Sequence, residues 1–66
     1  MPMTTNEHLK MKMALLNISQ TELAEQIGIS KPTIISRFND GNWKYFEILE
    51  LIRILGIKKP HEVFFQ

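Results

Sequence analysis

A glycine at position 28 separates two short segments of helical pattern, and it constrains the fold of this chain more than any other residue. Upstream, Ser19 is followed three residues later by Glu22, the signature of a capping box that opens a helix over Gln20–Ile27. Downstream, Ser30 caps a further helix whose second position is Pro32, where a missing N–H costs nothing. Two helices joined through so short a turn must cross steeply. The turn residue must then take a positive φ, which costs any residue but glycine about 1 kcal/mol or more. Ala24 is small enough for close approach, and Ile27, Ile29 and Ile34 are placed to fill the wedge. Alanine stands four residues before the glycine and Ile34 six after it, the spacing such a corner requires.

The rest of the chain reads as helices that support this corner. Thr4, Thr5 and Asn6 supply N-cap candidates ahead of Glu7–Leu16, where Leu9, Met13 and Leu16 recur on one side. Asn17 is suited to end that helix in the left-handed conformation. Asp40-Gly41-Asn42 reads as a turn after a helix running to Asn39, in which Ile34 and Phe38 share a face. From Tyr45 to Leu55 the apolar positions Tyr45, Ile48, Leu49, Leu51, Ile52 and Leu55 cover over half the helix circumference, which predicts a central helix packed on several neighbours. Gly56 ends it, and Pro60 opens a last turn through Phe64. Five helices and no strand candidate make the chain all-α, and its 66 residues form a single domain, 1–66, with the paired helices at about 20–39.

Composition removes several classes of function. The absence of cysteine excludes disulfides and thiolate metal sites and suits a reducing cytoplasm. No apolar run approaches the roughly 18 residues of a membrane span, and there is no basic-then-apolar leader. The expectation is a soluble, cytoplasmic protein with no membrane partner. His8 and His61 are isolated and expected at the surface, with no nucleophile–base spacing, glycine-rich phosphate loop or metal-ligand cluster, so neither an enzyme nor a cofactor is expected. The formal net charge of +1 is weak for a nucleic-acid binder, but the charge is uneven. Lys31, Arg37 and Lys44 stand against the single acid Asp40 between residues 30 and 45, whereas Glu22 and Glu25 stand alone between 19 and 29.

The stretch Ser19-Gln20-x-Glu22-Leu23-Ala24, then Gly28-Ile29-Ser30, then Thr33-Ile34 resembles the helix-turn-helix family of phage Cro proteins and phage repressors. The Asn39-Asp40-Gly41 turn strengthens the likeness, which extends more weakly from Leu9 to about Phe64. It implies a five-helix, lambda-repressor-like domain. The implied function is a sequence-specific DNA-binding transcriptional regulator, a Cro-like phage or prophage repressor on a pseudo-palindromic double-stranded operator. A protein-interaction module on the same scaffold, an antirepressor or antitoxin that does not touch DNA, is the alternative. Two departures from the family pattern stand out. Met13 and Phe38 occupy positions where many members carry an ion pair between the first and third helices. We expect the two to touch, replacing charge with packing. Arg37 falls where the family is usually apolar, and its stem is expected along the core edge with the guanidinium outside, within reach of a phosphate.

The resemblance also places residues on DNA. The second helix of the motif would lie in the major groove, with Ser30, Lys31, Pro32, Ile35 and Ser36 at base edges. Lys31 can donate to guanine O6 or N7, Ser36 can serve several bases, and Pro32 and Ile35 suit thymine methyls. For Ile35, core filling is the competing role. Gln20, Thr33, Arg37, Asn39, Asn42 and Lys44 would contact the phosphate backbone. For Asn39 and Asn42, turn chemistry is an equal and compatible role. Lys10 and Lys12 read as a solvated face. One such domain discriminates poorly alone, so a homodimer on DNA is implied, with Phe46, Val63, Phe64 and Phe65 as the interface and Trp43 near it. For Phe64 core filling competes with the interface. With no appended sensor domain, no small-molecule effector is expected.

Overall fold

The computed structural model describes residues 3–64, and they form five helices. These are α1 (Thr5–Leu16), α2 (Gln20–Ile27), α3 (Lys31–Asp40), α4 (Tyr45–Leu55) and α5 (Pro60–Phe64). No strand occurs among the described residues, so the fold is all-α as expected. Most starts and stops have a local cause. Thr4 caps α1, its Oγ1 accepting from the Glu7 N–H while the Glu7 carboxylate accepts from the Thr4 N–H at 2.8 Å. Hydrogen bonding from the Thr4 backbone N–H first, and from its side chain second, holds the Glu7 carboxyl below the usual carboxylate range. Ser19 and Glu22 make the same reciprocal pair at the start of α2. Asn17 closes α1 in the left-handed region, φ 57°.

The core draws on every helix: Leu9 and Met13, Leu23, Ala24 and Ile27, Ile34 and Phe38, Leu51 and Leu55, Ile57 and Val63. Helix α2 packs on α3 and α4, and α1 packs on α4 and α5. Met13 and Phe38 are both buried in this one cluster, so the place of an α1–α3 ion pair is filled by apolar side chains. The Phe38 ring also packs edge-to-face with Trp43, the ring centroids 5.1 Å apart and the planes at 88°. The ammonium of Lys10 lies 5.7 Å from its centroid, so Lys10 has a contact beyond the solvated face expected for it.

Several expectations are corrected. Asn6 is a bracket rather than a cap: its Nδ2 donates to the Phe38 carbonyl at 2.7 Å and its Oδ1 accepts from Trp43 Nε1 at 3.0 Å. Trp43 is thereby tied to its own chain instead of lying open near a dimer surface. Leu16 faces outward at the end of α1, not into the core. The turn after α3 begins one residue later than expected, with Asp40 inside the helix and its carboxylate accepting from the Asn42 N–H at 2.9 Å.

The largest departure joins α3 to α4. The sequence places the Arg37 guanidinium outside, yet its Nε donates to Glu47 Oε1 at 2.8 Å, and Glu47 is only 1% exposed. The same oxygen accepts from the Lys44 N–H at 2.8 Å. The hydrogen bond to Glu47 raises the Arg37 pKa above its ordinary value. A buried carboxylate needs a partner, and Arg37 supplies it. Arg37→Met is therefore expected to lower the melting temperature, because it strands Glu47. Adding Glu47→Leu is expected to recover much of the loss, since an apolar pair removes the desolvated charge. Thermal melts of the single and double variants check this, and a double variant melting below the single one refutes it.

Candidate nucleic-acid interface

The α2–α3 corner is built as its sequence dictates. Gly28 has φ 88° and donates its N–H to the Ala24 carbonyl at 2.8 Å, and the Ile29 N–H reaches the same oxygen at 3.0 Å. A Cβ at position 28 would meet no atom within 4 Å, so the demand for glycine comes from backbone conformation alone. Ala24 and Ile34 are buried inside the corner, and Ile29 is partly buried against them.

Beyond the corner, Ser30 caps α3. Its Oγ accepts from the Thr33 N–H at 3.3 Å and lies 2.7 Å from the Thr33 hydroxyl. Both side chains are thus engaged in fixing the helix start. The next residues alternate between core and solvent. Ile34 and Phe38 face inward, whereas Lys31, Pro32, Ile35 and Ser36 are exposed together on the outer face. Ile35 is 42% exposed, which removes its competing assignment as a core residue. Four of the five residues placed by sequence at base edges therefore share one open surface, with Ser30 at its leading end.

The residues expected at phosphates flank this surface on two sides. Gln20, half-buried, is the first residue of α2 and sits beside the Ser19–Glu22 cap. Asn39, Asn42 and Lys44 are exposed around the turn from α3 to α4. Arg37 is the exception, its Nε bonded to Glu47. The residues expected at a dimer interface do not form one open surface among those described. Val63 is buried in its own core, because it closes the contact between α5 and α1, and Phe64 packs partly buried against that core. Phe65 lies outside the described residues. Phe46 is open, and it lies in a patch with Tyr45 (76% exposed) and Leu49. Sequence reasoning missed Glu47. The signal was its place as third residue of a helix opening at Tyr45, where a carboxylate can reach back to the capping residue's N–H.

No helix among the described residues is long and apolar enough to cross a membrane. No curated protein and no solved structure matches the chain. A family model described as helix-turn-helix matches residues 9–61, the span that contains the capped pair α2–α3 and its supporting helices. The chain thus belongs to the helix-turn-helix family, a family of DNA-binding transcription regulators.

Proposed function

We propose that the protein is a Cro-like phage or prophage repressor that reads a pseudo-palindromic operator in the cytoplasm as a homodimer. The outer face of α3 carries the reading: Lys31, Pro32, Ile35 and Ser36 stand together in solvent on a helix whose opposite face fixes it to the core. A donor that suits guanine, a hydroxyl and two apolar groups that suit thymine methyls make a mixed readout set for the major groove. Ser30 and Thr33 fix the start of that helix, and Thr33 and Gln20 lie where one phosphate strand would pass. Asn39, Asn42 and Lys44 would hold the other end. Because Arg37 is engaged with Glu47, its contribution to phosphate binding is limited to the rest of the guanidinium.

The dimer surface is better placed at Tyr45, Phe46 and Leu49 than at the C-terminus, since these three are exposed and contiguous along α4. Large aromatic side chains bury about 150–250 Å² each, so the two rings at their present exposure offer roughly 250 Å². Even doubled by symmetry and enlarged by Leu49, that falls short of the ~1,200–2,000 Å² of a stable interface. The dimer accordingly forms on the operator, where two half-sites bring the copies together.

Selection from a random duplex pool, followed by sequencing, tests the reading. The expected product is two inverted half-sites about 10 base pairs apart centre to centre, or a multiple of that spacing. Within each, at least one thymine position is expected to lose its preference in Ile35→Ala, while unfolding free energy changes by no more than about 0.5 kcal/mol. A pool that never enriches, or that enriches without symmetry, refutes it.

A further inference from the structure

A second charged surface lies apart from α2 and α3. His8 and Lys12, one turn apart on α1, face Lys58 and Lys59 from the α4–α5 connection across an open cleft of about 250 Å³. Ile57 and Val63 form its apolar part, and Glu62 is the acid among the described residues that line it. The lysines gathered here are unusual in a chain whose net charge is only +1. Of the other cations, Arg37 is bonded to Glu47, Arg53 to Glu50, and Lys10 lies over Phe38, while Lys31 and Lys44 are exposed on and beside α3, away from this cleft. Among the described residues, Lys12, Lys58 and Lys59 take part in no ion pair.

Beside the cleft, α1 carries apolar side chains that its own fold does not use. Leu15 follows Lys12 by three residues and is 72% exposed, and Met11 is also open. Helical spacing puts residues 8, 11, 12 and 15 on adjoining positions of one side. The result is a basic cleft bordered by an apolar shelf. We propose that this surface docks an acidic segment of a partner protein, one in which carboxylates alternate with a leucine-like side chain. The carboxylates would meet Lys12, Lys58 and Lys59, and the apolar side chain would cover Leu15 and Met11.

Charge complementarity selects this occupant over others. A phosphate backbone supplies the negative charge but nothing apolar for Leu15 and Met11 to cover. The volume lies below the ~300–1,000 Å³ of small-molecule pockets, and the cleft is open rather than enclosing. No residue of α2 or α3 lines it, so a partner docked there leaves the DNA-reading face free. The site therefore stands or falls separately from operator binding.

The test is a nuclear magnetic resonance titration of the intact protein with a synthetic peptide of repeating Glu-Glu-Leu. Backbone amides of His8, Lys12, Lys58, Lys59 and Glu62 are expected to shift saturably while those of Ile35 and Ser36 stay fixed, and a Gln-Gln-Leu peptide is expected to produce no shifts. Lys58→Glu with Lys59→Glu should weaken the peptide about tenfold or more, because two attractive contacts become repulsive. Leu15→Ser, an exposed change that the fold should tolerate, should weaken it severalfold. Unchanged α3 amides and unchanged duplex affinity in each variant will show that the domain is still folded. The proposal is overturned by the absence of saturable shifts, by a lysine variant that binds as well as the parent, or by displacement of the peptide with duplex DNA. It is also overturned if the cleft amides shift with protein concentration alone, which would make the occupant a second copy of this chain.

Discussion

Leu51→Ala is expected to cost about 2–5 kcal/mol of unfolding free energy, whereas Leu49→Ala, two residues away in the same helix, is expected to change it by no more than about 0.5 kcal/mol. Leu51 is wholly buried among side chains from its neighbouring helices, so truncation removes its transfer energy and leaves a cavity. Leu49 is 48% exposed, and water already reaches the atoms that truncation would remove. A chain of 66 residues is expected to hold only about 3–10 kcal/mol in total, so the first change consumes much of the available stability. Urea denaturation of both variants measures the difference. Equal losses would show that the outer face of α4 is packed in the working protein, and would move Tyr45, Phe46 and Leu49 from an open surface into a permanent interface.

The second large effect concerns DNA. Lys31→Ala is expected to weaken binding to the selected operator by about 5- to 150-fold, the range for losing one base-edge contact of roughly 1–3 kcal/mol. Lys31→Glu should go further, since it sets a carboxylate where the groove and its phosphates are negative. In both variants binding to unrelated duplex should fall much less, so discrimination collapses. Lys44→Ala should behave differently: exposed at the turn leading into α4, it is expected to lower affinity for all duplexes alike. The contrast separates a residue that reads sequence from one that holds the backbone. Lys31 is exposed at the start of α3 with no ion-pair partner among the described residues, so neither change should disturb the fold.

The readable parts of this structure are those set by local chemistry. Ser19 with Glu22, Ser30 with Pro32, and Gly28 each fix a backbone event within a few residues, and each appears where the sequence puts it. The inward alternation of Ile34 and Phe38 follows from helical period alone, and the outward position of Lys31, Ile35 and Ser36 follows with it. What the sequence hides depends on partners far along the chain. Leu49 and Leu51 are the same residue type in one helix, and only the position of neighbouring helices decides which is buried. Asn6 meets the Phe38 carbonyl and the Trp43 indole across more than thirty residues, whereas local sequence marks it only as a cap. Arg37 has a buried partner ten residues away on another helix, and nothing local marks Glu47 as buried. Val63 at the C-terminal end looks exposed by sequence position, yet α5 folds back on α1, where the Thr5 hydroxyl donates to the Val63 carbonyl at 2.6 Å.

The proposed function requires the solvent face of α3 to lie along a DNA duplex. Fluorescence anisotropy of a labelled operator duplex, titrated with protein from about 50 to 200 mM KCl, tests it most directly. The logarithm of the binding constant is expected to fall linearly with the logarithm of salt, by about 0.9 per phosphate neutralised. Lys44→Ala should reduce that slope by about one. Binding that ignores salt, or a slope and affinity unchanged when Lys31 and Lys44 are both replaced by alanine, would place the duplex elsewhere on the protein or nowhere on it.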